Sequence, residues 1–251
     1  MKTKDRSRRA RHYSLRKACA WIVVLLGTLH CPAPDAPPAP ETTPAQTTEE
    51  PAKATAADER PAIVFLGTSL TAGYGLPESD AYPARIQARI DAAGLDHRVV
   101  NAGVSGDTSA GGLRRLDWLL RLPIAVLVLE LGANDMLRGQ PAAALEANLA
   151  AVLERTRAAH PDVRFLVAGM RAAPNLGRDY AEAFDAVYPR IARRFDAAFV
   201  PFLLEDVAAR PELNQADGIH PTAEGHALIA ERVWQALAPL LEKERPPHAP
   251  D

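Results

Sequence analysis

The chain has 251 residues, with 29 Lys and Arg against 31 Asp and Glu, 22 Pro, 2 Cys and 6% aromatic residues. A formal charge of -2 gives no support for a nucleic-acid-binding protein, and two cysteines are too few for a disulfide scaffold or a four-thiolate zinc site. The length suits one domain, or at most two.

The charge is unevenly spread. Residues 1–17 hold eight Lys or Arg and one Asp, which leaves 21 basic against 30 acidic residues in 18–251. The uncharged stretch Ala18 to Leu29 follows, shorter than the roughly 20 residues that a membrane-spanning helix needs. A basic segment ahead of a short apolar one reads as an export signal, assigned to 1–31; the Arg8-Arg9 pair fits a twin-arginine signal poorly. Cys31 opens a Pro-rich run where a bacterial lipoprotein carries its acylated cysteine, and a single Cys in an exported product favours acylation. Thr28, Leu29 and His30 before it are not the small residues that signal peptidases prefer, so plain cleavage or an uncleaved anchor stays open. Cys19, within the apolar stretch, needs no role.

Residues 32–60 contain seven of the prolines and no Leu, Ile, Val or aromatic residue. Such a segment cannot bury enough apolar surface to offset its ordering entropy, and it is expected to be a disordered linker. The folded domain is therefore assigned to 61–243, with 244–251 as a disordered tail.

Within the domain, short apolar runs alternate with amphipathic stretches. Residues 62–67, 98–101, 124–131, 163–168 and 197–202 are strand candidates, rich in β-branched and aromatic residues. Helical spacing appears at Leu113, Leu116 and Leu120; at Leu145, Leu149, Val152 and Leu153; at Phe184, Val187, Tyr188, Ile191 and Phe195; and at Ile229, Val233 and Leu237. Nearly continuous apolar strands, each followed by a helix, predict an α/β fold with a five-stranded parallel sheet covered on both faces. Ligands in such folds bind beyond the carboxyl ends of the strands.

Those ends carry polar and Gly-rich sequence. Gly67 to Gly75 follows the first strand, Asn101 to Ser109 the second, Glu130 to Asp135 the third, Gly169 to Arg178 the fourth, and Asp217-Gly218-Ile219-His220-Pro221 lies beyond the fifth. A hydroxyl nucleophile needs a base within hydrogen-bond reach and a group that orients the base. Ser69 stands just after a strand, and the spacing of Asp217 and His220 lets one carboxylate reach the Nδ1 side of the ring while Nε2 faces outward. Singly, the serine also reads as a helix N-cap and the Asp-x-x-His as a cap arrangement; together, on matching strand ends, they read as a triad. The backbone N–H groups of Ser69 and Gly106 and the amide of Asn134 are candidate donors to an oxyanion, although Gly106 also suits a plain turn and Asn134 a cap. His97, His160 and His226 lack an acidic neighbour at a strand end and read as surface or helix residues. Asp107 and Asp135 read as loop braces.

The blocks GTSLTAGYGL, GVSGDTSAGGLRRL, ELGANDMLRG and DGIHPTAEGH, in that order over most of 61–237, resemble the SGNH (GDSL-type) hydrolases, in the branch of multifunctional bacterial arylesterases, lysophospholipases and acyl-CoA thioesterases. The resemblance implies a flavodoxin-like three-layer α/β/α sandwich. It also implies Ser69 as nucleophile, His220 as base, Asp217 as its orienter, and Ser69, Gly106 and Asn134 as the oxyanion hole, with no metal or organic cofactor. An acyl groove is expected along the loop Met170 to Tyr180, with Leu76, Met136, Leu137 and Tyr180 as candidate substrate contacts. The expected enzyme is a monomer acting on small-molecule or lipid esters, with any membrane anchoring through Cys31 or an uncleaved N-terminal segment. Export to the periplasm or cell envelope favours lysophospholipids, fatty-acyl esters or aryl esters as substrates, with thioesterase action secondary because acyl-CoA is cytosolic. A carbohydrate acetylesterase and a non-catalytic binding lipoprotein are the competing readings. One residue departs from the family pattern: Thr68 stands where an Asp usually precedes the nucleophile. On sequence alone, Thr68→Asp is expected to raise turnover.

Overall fold

The computed structural model describes residues 58–242. The export signal, Cys31, linker residues 32–57 and the C-terminal tail lie outside the described residues. The five apolar runs form one parallel sheet from β1 (Ala62–Gly67), β2 (Arg98–Gly103), β3 (Ile124–Glu130), β4 (Arg164–Ala168) and β5 (Ala198–Val200). Their order is β2-β1-β3-β4-β5, the flavodoxin-like arrangement. The chain leaves β1 toward β2 on one side and then crosses back to β3 on the other. That reversal opens a crevice beyond the ends of β1 and β3, and it fixes where a site can be built.

The helices are α1 (Ser69–Ala72), α2 (Tyr82–Ala92), α3 (Ser109–Leu119), α4 (Ala133–Leu137), α5 (Ala142–Ala159), α6 (Arg178–Asp185), α7 (Val187–Phe195) and α8 (Ala223–Glu242). Helices α3, α5 and α7 pack in succession on one another, while α2 packs against α8. Every residue of β1 is buried, so its side chains meet apolar partners on both faces of the sheet. Among the described residues no helix is long and apolar enough to cross a membrane.

Several boundaries differ from the sequence expectation for identifiable reasons. Strand β5 stops at Val200 because Pro201 has no N–H for the ladder. Strand β3 stops at Glu130, since the Leu131 carbonyl accepts from the Tyr188 hydroxyl at 3.1 Å and Gly132 turns the chain at φ +121°. The apolar face expected to run unbroken from Phe184 to Phe195 is divided between α6 and α7. Pro189, in the first turn of α7, has no N–H to bond back into α6. At the other end of the domain Arg60 donates to Asp58 and to the His97 carbonyl, so the residues just before β1 contact the folded body.

Two histidines read as surface or helix residues are in fact buried: His97 at 5% exposure and His226 at 1%. The Nδ1 of His226, on α8, accepts the Tyr82 backbone N–H at 3.2 Å, and its ring stacks on the Tyr82 ring. The ring is therefore neutral, with its proton on Nε2. Burial, seconded by the Arg85 charge, lowers its pKa to about 4.

This has a signed consequence for stability. The unfolded chain binds a proton at an ordinary histidine pKa, whereas the native ring does not until about pH 4. Stability is thus fully present above the unfolded value and falls on acidification, by at most on the order of 3 kcal/mol from this group. His226→Asn keeps an acceptor near the Nδ1 position and removes the titration. Urea denaturation of both proteins between pH 7 and pH 4.5 is expected to give a shallower loss of stability for the variant; parallel curves would contradict this.

Candidate active site

Ser69 is the first residue of α1, and the short helix lies directly over the sheet edge. Gly67 is in register with Gly103 of β2 on one side and with Glu130 of β3 on the other. A Cβ at Gly67 would fall 1.9 Å from Thr71 Oγ1, and one at Gly103 would fall 2.2 Å from the Ala72 nitrogen. These two glycines let the first turn of α1 settle onto the strand ends. Thr68 caps the helix, its side chain accepting from the Leu70 N–H at 3.4 Å, and Gly73 ends it in the left-handed conformation. The turn aims the Ser69 hydroxyl away from the core.

Facing it is the segment from Asn214 to Pro221, closed on itself by an antiparallel bridge between those two residues. His220 Nε2 lies 3.0 Å from Ser69 Oγ, and its Nδ1 lies 2.7 Å from Asp217 Oδ2. The other carboxylate oxygen of Asp217 accepts the backbone N–H groups of Ile219 at 2.9 Å and His220 at 3.0 Å. The His220 ring bond, supported by these two N–H groups, holds the Asp217 carboxyl down to about 2. Asp217 is therefore anionic across the working range, and a carboxylate on Nδ1 leaves Nε2 free to accept a proton. The Tyr74 ring packs against the imidazole, with centroids 4.5 Å apart.

Gln215 ties the two halves together. Its side-chain amide donates to the carbonyls of Tyr74 at 2.7 Å and Pro221 at 3.0 Å, while its backbone N–H donates to the His220 carbonyl at 2.7 Å. A Cβ at Gly75 would fall 2.3 Å from its Oε1, so the loop after α1 approaches this clamp closely. Neither Gln215 nor Tyr74 stands out in the sequence, because a lone Gln or Tyr in a loop has no spacing that marks it.

Candidate oxyanion donors gather beside Ser69. Gly106 sits in the turn after β2 at φ +80°, where a side chain would be strained. The backbone N–H groups of Ser69 and Gly106 have no acceptor among the described residues. Asn134, in α4, spends one amide proton on the Asp107 carbonyl at 2.9 Å and keeps the second available. The neighbouring carboxylates act as braces. Asp135 accepts both the N–H and the hydroxyl of Ser109, and Asp107 accepts Arg115 Nε at 2.6 Å. Arg115 also donates to the Gly67 carbonyl at 3.0 Å, linking α3 to the end of β1.

Beside Ser69, His220, Gly106 and Asn134 lies a cavity of about 700 Å³. Its walls are mainly apolar, including Met136, Leu137, Met170, Pro174, Phe202 and Ile219. Leu137 and Ile219 are more than half exposed and leave the cavity with an apolar mouth. Arg171 also lines it, with its guanidinium 5.0 Å from the centre of the Phe202 ring. Met136, Leu137 and the first part of the loop after β4, Met170 to Pro174, line the cavity. Leu76 and Tyr180 do not line the cavity. Leu76 turns back in a bond from its N–H to the Gly73 carbonyl, and the Tyr180 hydroxyl donates to the Gln140 carbonyl while its ring stacks on Phe184. Phe202, Leu204 and Ile219 line it without having been marked, since they read as ordinary strand and loop apolar residues. Among the described residues no group of three or more His, Cys, Asp or Glu is gathered where it would hold a metal ion.

Comparison with known proteins bears on this arrangement. The profile of the GDSL-like Lipase/Acylhydrolase family matches residues 65–228. Esterase TesA of Pseudomonas aeruginosa is 44% identical over 180 residues, covering 71% of this chain and 89% of its own. The Escherichia coli protein named Thioesterase 1/protease 1/lysophospholipase L1 is 40% identical over 194 residues, covering 76% of this chain and 89% of its own. Among solved structures, that of TesA matches with a TM-score of 0.68 at 44% identity, covering 72% of this chain and 99% of that one. The SGNH-hydrolase family esterase AlinE4 matches with a TM-score of 0.60 at 41% identity, covering 75% and 98%. With a family match that runs from β1 into α8, and relatives this similar over nearly their whole length, the chain belongs to the GDSL-like lipase/acylhydrolase family.

Proposed function

We propose that Ser69 is the nucleophile of this ester hydrolase, His220 its general base and acid, Asp217 the group that orients His220, and Ser69, Gly106 and Asn134 its oxyanion hole. The observation that carries this reading is the unbroken relay from Asp217 through His220 to Ser69, at 2.7 and 3.0 Å, opening on an apolar cavity. In the first half-reaction Ser69 Oγ attacks the ester carbonyl carbon as Nε2 takes its proton. The carbonyl oxygen becomes an anion held by the two N–H groups and the Asn134 amide. The C–O bond to the alcohol then breaks, and His220 returns the proton to the departing oxygen. In the second half-reaction His220 takes a proton from water, the hydroxide attacks the acyl carbon, the bond to Ser69 Oγ breaks as His220 returns the proton to that oxygen, and the carboxylic acid leaves.

The preferred substrates in this reading are lysophospholipids and other fatty-acyl or aryl esters, with thioesters secondary. Support comes from walls of Met, Leu, Phe, Pro and Ile rather than the open aromatic surface that a sugar would need. The names of the relatives, which include an esterase, a thioesterase/lysophospholipase and an arylesterase, run in the same direction. The export signal of 1–31 and acylation of Cys31 belong to the same proposal, since an exported enzyme meets envelope lipids and not cytosolic acyl-CoA.

Ser69→Ala is expected to abolish hydrolysis of a p-nitrophenyl ester while circular dichroism and Tm stay unchanged; retained activity would remove Ser69 from the mechanism. Asp217→Asn is expected to lower kcat by about 10³–10⁴ with a smaller effect on KM, because it disturbs the ring's tautomer and orientation. For substrate class, kcat/KM should rise from acetyl to medium-chain p-nitrophenyl esters, with lysophosphatidylcholine cleaved faster than acyl-CoA. Activity confined to acetyl esters and acetylated sugars would replace this reading with a carbohydrate acetylesterase.

A further inference from the structure

We propose that Glu130 is a positioning residue for the nucleophile, its buried carboxylate anchoring the turn that aims Ser69 at His220. The inference deepens the reading of Ser69 as nucleophile and rests on it. Glu130 ends β3 directly across from Gly67 and is fully buried, a rare position for a carboxylate. It is well supplied with donors. Its Oε2 accepts the Thr68 backbone N–H at 2.9 Å and the Thr71 hydroxyl at 2.8 Å, and the Thr68 hydroxyl lies 3.0 and 3.1 Å from its two oxygens. Thr71 Oγ1 has one proton and gives it to Glu130, so the Tyr82 hydroxyl, 2.8 Å away, donates to Thr71. Residues 68 and 71 flank Ser69 within a single turn. The carboxylate therefore grips the backbone before the nucleophile and the helix after it.

This arrangement reverses the expectation for Thr68. Thr68 is 1% exposed, its hydroxyl faces Glu130, and it supplies a donor where an aspartate would supply a second carboxylate. Two buried carboxylates in contact cannot both ionise, so a proton would have to be held between them. The groups facing Glu130 do not supply a compensating cation. Tyr82 on α2 and Tyr188 on α7 are buried phenols whose own ionisation is opposed by burial and by the Glu130 charge. Arg115 on α3 is directed to the Gly67 carbonyl and to Asp107. Burial pushes the Glu130 carboxyl above the ordinary range despite its donors, so a second acid beside it would be strongly coupled to it.

The test compares Glu130→Gln, Thr68→Asp and the double variant in the full chain, by kcat and KM on a soluble p-nitrophenyl ester. Glu130→Gln keeps the shape but turns an acceptor into a donor facing donors, and kcat is expected to fall about tenfold with KM within about twofold. Thr68→Asp should also be slower than the parent at pH 8, and its rate relative to the parent at the same pH should rise as the pH is lowered and the shared proton is supplied. Combining the two restores a carboxylate opposite a donor, so the double variant should exceed Thr68→Asp alone. Thr71→Val, which removes one donor with little change of shape, should lower kcat even where Glu130→Gln folds poorly. Parent-like kcat in Thr71→Val, a Thr68→Asp ratio flat with pH, or a double variant no faster than Thr68→Asp alone would overturn the proposal. If Ser69→Ala is inactive and these variants are parent-like, only this inference fails; if Ser69→Ala retains activity, the nucleophile reading fails first.

Discussion

The hydrogen bond between Ser69 and His220 joins residues 151 apart in the chain, and almost every local feature of the site is needed to hold its two ends within 3.0 Å. One end stands on a turn that α1 makes directly over the strand ends, which is sterically open only because Gly67 and Gly103 carry no side chains. The other stands on a loop closed by the Asn214–Pro221 bridge and by the Asp217 bonds to two consecutive backbone N–H groups. Gln215 spans the gap and bonds to both sides. The parallel sheet supplies the platform, since its topology reverses between β1 and β3 and leaves Ser69 and Asn134 on adjacent strand ends.

Beneath that contact the interior departs from a purely apolar core. Glu130, Thr68, Thr71 and Tyr82 form a buried hydrogen-bonded chain, and Tyr82 in turn meets His226 through its backbone N–H and its ring. Buried polar groups are costly unless satisfied; here the carboxyl has several donors and the imidazole accepts through Nδ1, while its buried Nε2 has no hydrogen-bond partner among the described residues. The two titratable ends of the chain act in opposite directions on stability. Burial favours the uncharged form of each, so acidification works against the native state at His226, whereas rising pH works against it at Glu130. The helix that begins just after His220 carries His226, so this polar chain reaches from the floor under Ser69 to the element that follows His220.

The fold and the triad were legible because they rest on signals that survive in one dimension. Apolar runs such as Ala62 to Gly67 and the 3.6-residue spacing of Leu145, Leu149, Val152 and Leu153 define strand and helix without reference to partners. Ser69 follows the first strand directly, and the Asp217–His220 pair stands out by its spacing in the loop that precedes α8. What was not legible depends on contacts between distant segments. Gln215 and Phe202 are unremarkable in sequence, and the burial of His226 follows from the packing of α2 on α8. Tyr180, adjacent to residues that do line the cavity, turns away because α6 begins at Arg178 and directs its hydroxyl to Gln140. Thr68 reads in the sequence as a missing acidic residue, yet a carboxyl already stands opposite it on β3. That fact belongs to strand register, which the order of residues does not display.

Catalysis by this site would depend first on the reactivity of one hydroxyl, that of Ser69. An alkylphosphonate ester that carries a good leaving group reports an activated serine, bonding irreversibly to its oxygen as that group departs. Intact-mass and peptide-mass measurement of the full chain after such treatment should find one adduct per molecule, on the peptide that contains Ser69, formed in step with the loss of activity. An adduct on another residue, or complete inactivation with Ser69 unmodified, would contradict the account.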